Sequence, residues 1–137
     1  MAIAFKRDLD GVDWAAMKAV LAADDFDNGR TPAQLAASFR NSFGTCIAYH
    51  GDQIVGTARV LSDGVCNAYV VDVWTLTAYR KQGIACAMIG ALLQDLHGQH
   101  VYLFTDGAEA FYRRIGFVER GIGFERVVGE WLVNDPA

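Results

Sequence analysis

Proline is scarce in this sequence, with two among 137 residues, and 53% of the residues are apolar. That combination excludes a disordered or fibrous chain. Long apolar runs are also missing: none reaches the ~18 residues that a membrane-crossing helix requires. Lys6, Arg7 and Asp8 stand where a signal peptide would carry its apolar segment. No membrane partner and a cytoplasmic location are therefore expected. There is no excess of positive charge either. The net charge is -4, which gives no support for a nucleic-acid partner. Cysteine is limited to Cys46, Cys66 and Cys86, and their spacing matches no zinc-ligand pattern. An odd count without a secretion signal fits reduced thiols, and no metal is expected.

The length suits one domain covering residues 1–137, and no linker interrupts it. Residues 2–6 read as a short strand and 12–23 as a helix, with Trp14, Met17 and Leu21 on one face. The acidic stretch with Asp24, Asp25 and Asp27 reads as a solvated loop. Thr31, Pro32 and Gln34 form a helix start in which Thr31 caps, Pro32 takes the first helical position and Gln34 closes a capping box. Leu35, Phe39 and Phe43 then make a buried stripe that Gly44 ends.

Extended segments at 45–49, 53–61 and 65–76, joined by turns at Gly51 and Asp63-Gly64, predict an antiparallel meander. From 83 to 96 the apolar period changes: Ile84, Met88, Leu92 and Leu96 recur at i+4, which predicts an amphipathic helix. A strand at 101–105 comes next, so a helix lies between two strands, which calls for a right-handed crossover and parallel pairing. A helix at 108–115 and strands at 117–118 and 127–133 complete the chain. The expected fold is a mixed α/β one: a mostly antiparallel sheet, one parallel βαβ crossover and helices on both faces. His50, His97 and His100 read as exposed, and Trp14 and Trp131 as packing residues.

The junction between the long strand and the helix at Gly83 carries the chemistry. Amides in the first turn of a helix have no internal partner, and the helix dipole favours negative charge there. An anion binds readily where the backbone can be approached closely. Gly83 and Ala85 permit that approach, and Arg80 and Lys81 add positive charge. The spacing fits neither the Walker loop nor the three-glycine dinucleotide fingerprint.

Arg80-Lys81-Gln82-Gly83-Ile84-Ala85 resembles the Arg/Gln-x-x-Gly-x-Gly/Ala signature of the GNAT superfamily of acyl-CoA N-acyltransferases. Its surroundings resemble that family too. An apolar strand at 70–75 precedes it, an amphipathic helix and a short strand succeed it, and Ala108 to Phe117 reproduces an Ala-x-x-Phe/Leu-Tyr-x-x-x-Gly-Phe block. The element order matches over nearly the whole chain. Two positions depart from the pattern: Thr77 replaces a loop proline, and Thr105, followed by Asp106, replaces an asparagine that touches the pantetheine arm.

The resemblance implies acetyl-CoA as cosubstrate and a primary amine, on a small molecule or a peptide, as acceptor. It assigns pantetheine pairing to the backbone of Val73, Trp74 and Thr75, with Thr105 as a further contact. The pyrophosphate falls to the amides of Lys81, Gln82, Gly83, Ile84, Ala85 and Cys86, beside Arg80. Tyr112 matches the general acid that protonates the departing thiolate, and a phenol of pKa ~10 is suited to that transfer. Asp72, one residue before the pantetheine-pairing segment, is the best-placed carboxylate to take a proton from the amine. Strand alternation puts it on the same side as Trp74, which would wall the acceptor pocket. A catalytically silent acyl-CoA-sensing or partner-binding domain is the alternative. A toxin acetylating aminoacyl-tRNA is disfavoured by the acidic balance. Many relatives are dimers, and an exposed C-terminal strand would offer such a surface here.

Overall fold

The computed structural model describes residues 2–134. They fall in two compact units divided after Leu103. In the first, β1 (Ala4–Lys6) is followed by α1 (Trp14–Ala23) and α2 (Pro32–Arg40). Asp13 opens α1 by accepting the Ala16 amide at 3.0 Å, and Met17 and Leu21 turn inward. The capping box of α2 is complete: Thr31 Oγ1 accepts from the Gln34 amide at 3.1 Å, and Gln34 Oε1 accepts from the Thr31 amide at 2.9 Å. Leu35 and Phe39 are buried as expected, but Phe43 is 47% exposed. The helix has already ended at Arg40, and the Phe43 amide bonds to the Val60 carbonyl at 2.9 Å, so Phe43 joins the sheet instead of extending the helical stripe.

The meander consists of β2 (Gly44–His50), β3 (Gln53–Ser62) and β4 (Asn67–Thr75). Asp63 shapes its second turn, its carboxylate accepting the Val65 and Cys66 amides at 2.8 Å. After α3 (Ile84–Leu93), β5 (His100–Tyr102) pairs with β4 in parallel, giving a five-stranded sheet in the order β1-β2-β3-β4-β5. The expected mixed fold is therefore present. Alternate sheet residues feed two cores. One gathers Met17, Leu21, Leu35 and Phe39 of α1 and α2 on Ile47, Ile54 and Trp74. The other gathers Ile84, Met88 and Leu92 of α3 on Ala48, Val55, Val60 and Val70.

Two features of the sheet shape the region around the end of β4. First, β5 pairs with β4 only as far as Tyr69, while β4 runs on to Thr75. Among the described residues the rest of that β4 edge has no neighbouring strand. Second, β4 carries a bulge. Thr57 faces Trp74 and Arg59 faces Val71, so β4 holds one residue more than β3 across that interval. The bulge centres on Asp72, whose φ is +54°. Thr57 Oγ1 donates to the Asp72 carbonyl at 2.9 Å. The Asp72 carboxylate receives Arg30 Nη1 at 2.9 Å, Arg30 Nη2 at 3.0 Å and Arg59 Nε at 2.6 Å. Burial alone would raise the Asp72 carboxyl, but hydrogen bonds and charge from Arg30 and Arg59 outweigh it and hold the group below its ordinary value.

The second unit contains α4 (Glu109–Arg114). The strands expected at 117–118 and 127–133 do not form among its described residues. A strand needs a pairing backbone, and positive φ at Gly129 and Leu132 interrupts the expected 127–133 run. The C-terminal strand expected as a dimer surface is thus not formed. Trp131, expected to pack, is 57% exposed.

Two substitutions test these contacts. Asp72→Asn keeps a residue that tolerates positive φ but leaves two guanidinium groups of 7% and 11% exposure without their carboxylate. It is expected to lower stability by about 3 kcal/mol in urea unfolding at neutral pH. Because the folded carboxyl is depressed, its contribution is present above the unfolded aspartate value of 3.8 and fades as pH falls through the lower folded value. The loss of stability on acidification should accordingly be shallower in Asp72→Asn than in the parent. Gly56→Ala would bring a Cβ to 3.0 Å from Met88 Cε and 3.2 Å from both Ala48 Cβ and Ile84 Cγ2. It is expected to destabilise by about 1–2 kcal/mol in the same assay.

Candidate functional site

Where β4 ends, the chain makes a 3₁₀ turn, Thr77–Tyr79, and passes through residues 80–83 into α3. Lys81 and Gly83 both take positive φ, +65° and +79°. Successive amides therefore point to one side, as in an anion-binding nest. The first backbone bond of α3 runs from the Ala87 amide to the Gly83 carbonyl at 3.0 Å. The amides of Lys81, Gln82, Gly83, Ile84, Ala85 and Cys86 find no acceptor among the described residues. A Cβ on Gly83 would meet no heavy atom within 4 Å, so glycine is favoured there by backbone conformation and not by lack of space. Ile84 contributes only its amide, because its side chain is core at 3% exposure.

Arg80 points back toward the sheet. Its Nε donates to the Thr75 carbonyl at 3.1 Å and its Nη2 lies 3.8 Å from Asp24 Oδ2. The positive character of the loop thus comes from backbone amides and the exposed Lys81 more than from this guanidinium.

Along the unpaired β4 edge, Val73 packs partly into the α3-side core. Thr75 Oγ1 is a buried hydroxyl without a hydrogen-bond partner among the described residues. Trp74 does not wall an open pocket as expected. It is 2% exposed in the other core, and its Nε1 donates to Asp24 Oδ2 at 2.9 Å. The same oxygen accepts the Thr77 amide at 3.1 Å. Burial would raise the Asp24 carboxyl, yet the bonds from Thr77 and Trp74 bring it below its usual value.

Asp72 sits at the bulge that breaks strand alternation in β4, and its surroundings do not suit a base. Both carboxylate oxygens are taken by guanidinium donors, and the depressed carboxyl is a weak proton acceptor. Within the second unit, Tyr112 stacks edge-on against Phe111 and Phe117, and burial pushes its phenol above its ordinary value. Thr105 Oγ1 accepts the Ala108 amide at 3.3 Å at the start of α4. Among the described residues no cluster of His, Cys, Asp or Glu could hold a metal ion. No helix among them is long and apolar enough to cross a membrane.

Sequence reasoning missed four residues at this end of the sheet. Arg30 and Arg59 clamp Asp72, Asp24 ties the end of α1 to the turn after β4, and His50 Nδ1 lies 2.7 Å from the Tyr79 hydroxyl. Only Arg59 carried a signal, as a single charge inside the otherwise uncharged β3.

Comparison with known proteins shows the family and the fold. The Deinococcus radiodurans R1 structure, proposed to be an acetyltransferase, superposes with a TM-score of 0.80 at 25% identity, covering 90% of this chain and 87% of that one. A GNAT-family acetyltransferase of Streptococcus pneumoniae TIGR4 gives 0.77 at 26% identity, covering 94% of this chain and all of the other. A histone acetyltransferase of Glycine max is 31% identical over 103 residues, a match spanning 64% of this chain and 45% of that protein's length. A family model of the acetyltransferase (GNAT) domain matches residues 41–119. That match takes in the bulged β4, the open amides before α3 and the Phe111-Tyr112 block, and the chain belongs to the GNAT acetyltransferase family.

Proposed function

We propose that this chain transfers an acetyl group from acetyl-CoA to a primary amine on a small molecule or a protein. The observation that carries this reading is the row of unfilled amides from Lys81 to Cys86, opening beside the β4 edge left unpaired among the described residues. The fit to the cosubstrate is supported by Thr75 Oγ1, a buried hydroxyl left without a partner among those residues. Such a group is destabilising unless something donates to it or accepts from it, and pantetheine carries amide groups that do both.

In this reading the backbone of Val73, Trp74 and Thr75 aligns the pantetheine arm, although the Thr75 carbonyl is already shared with Arg80. The amides of Lys81 to Cys86 donate hydrogen bonds to the pyrophosphate. When bound, acetyl-CoA supplies an activated thioester. Tyr112 serves as the acid: its raised phenol keeps its proton throughout the neutral range and has it to give to a thiolate. Asp72 serves as a positioning residue that holds the β4 bulge, and the amine loses its proton to water or to another group. Cys46, Cys66 and Cys86 carry free thiols. None of them is needed as a nucleophile.

Free thiol released from acetyl-CoA across a panel of small amines and lysine peptides tests the activity. Binding of coenzyme A with no turnover for any amine would instead favour a silent acyl-CoA-binding domain. Gly83→Val, which places a branched side chain at a residue of φ +79° in front of the open amides, is expected to weaken coenzyme A binding about tenfold or more by calorimetry. Tyr112→Phe should leave coenzyme A affinity near the parent value and lower kcat about a hundredfold or more.

A further inference from the structure

The turn that leads into the open amides has no cap of its own. Leu76, at its N-cap position, makes no side-chain bond to it. The cap is supplied from 53 residues earlier in the chain, where Asp24 Oδ2 accepts the Thr77 amide at 3.1 Å while also holding the Trp74 indole at 2.9 Å. The far end of the turn is fastened separately. Tyr79, its last residue, places its hydroxyl 2.7 Å from His50 Nδ1, with the two rings tilted and their centroids 5.5 Å apart. His50 ends β2 and Asp24 closes α1, so two elements distant in sequence grip three consecutive residues. Neither side chain reaches the amides of the loop itself.

The loop beyond the turn has to be set in advance. Lys81 and Gly83 take left-handed conformations, and among the described residues no backbone hydrogen bond from the amides of 81–83 compensates for them. Ordering such a segment at the moment of binding would subtract from affinity. We propose that Asp24 and His50 are positioning residues for this anion loop: by fixing the turn Thr77–Tyr79 at both ends, they converge the amides of Lys81 to Cys86 before the ligand arrives. This rests on the reading that the loop takes the pyrophosphate of coenzyme A.

Calorimetric titration with coenzyme A, alongside thermal melts, tests the inference in Asp24→Ala, Asp24→Asn, His50→Ala, His50→Asn and Tyr79→Phe. His50→Ala and Tyr79→Phe, which each remove the one His50–Tyr79 bond, are expected to bind coenzyme A about five- to tenfold more weakly, and Asp24→Ala, which removes the bonds to both Thr77 and Trp74, at least as much. Asp24→Asn still offers an oxygen to the Thr77 amide, and His50→Asn offers a donor and an acceptor near the place of Nδ1, so both should recover most of the affinity. Parent-like affinity in all three disrupting variants, with only the melting temperature lowered, would show that the contacts merely support the fold. Asp24→Asn and Tyr79→Phe, nearly isosteric, keep the test open if an alanine variant fails to fold. If the unsubstituted protein fails to bind coenzyme A, the functional reading falls and takes this inference with it; if it binds and the variants bind equally, only the inference falls.

Discussion

A residue of left-handed backbone conformation in the middle of a β-strand has to be held in place, and at Asp72 the restraint is largely electrostatic. Its carboxylate takes three donors from Arg30 and Arg59, and its carbonyl takes a fourth from Thr57. Removing these charges from water is unfavourable, and a buried ion cluster is weak evidence for stability as such. What it does is fix a conformation. The extra residue shifts the register between β3 and β4, so that Val70 and Val73 both serve the α3-side core while Trp74 serves the opposite one. That shift sets the direction of the last residues of β4 and of everything that leaves from its end.

The chain has a net charge of -4, yet in the proposed function the region after β4 receives negative charge. This is reconciled by the source of the field. The conspicuous cation, Arg80, is drawn back toward Thr75 and Asp24, and the open face is lined by backbone amides. Dipoles fixed in this way need little reorganisation when an anion arrives, whereas a long exposed side chain would have to be ordered first. The same economy of movement explains why the turn before the loop is gripped by side chains from elsewhere in the fold, where local sequence offers no cap.

Two of the residues singled out by the sequence shift in opposite directions. Burial raises the Tyr112 phenol above its ordinary value, and hydrogen bonds and charge from two arginines bring the Asp72 carboxyl below its own. With both carboxylate oxygens engaged by Arg30 and Arg59, Asp72 is poorly suited to the proton acceptance expected of it from its place in the sequence.

The sequence by itself determined the fold class and the order of the elements as far as α4, because each is written in local pattern. The capping box at Thr31 and Gln34, the i+4 apolar period of α3 and the glycine at its N-cap act through neighbours a few residues apart. Its overreach was also local. Phe43 continued a helical period that the chain had already left for the sheet, and apolar residues beyond Gly116 looked like strands although no described backbone pairs with them. Tertiary structure alone decided the roles of Asp72, Asp24 and His50. Partners of these three lie 42, 53 and 29 residues away, and such side chains acquire their contacts only from what the fold brings against them.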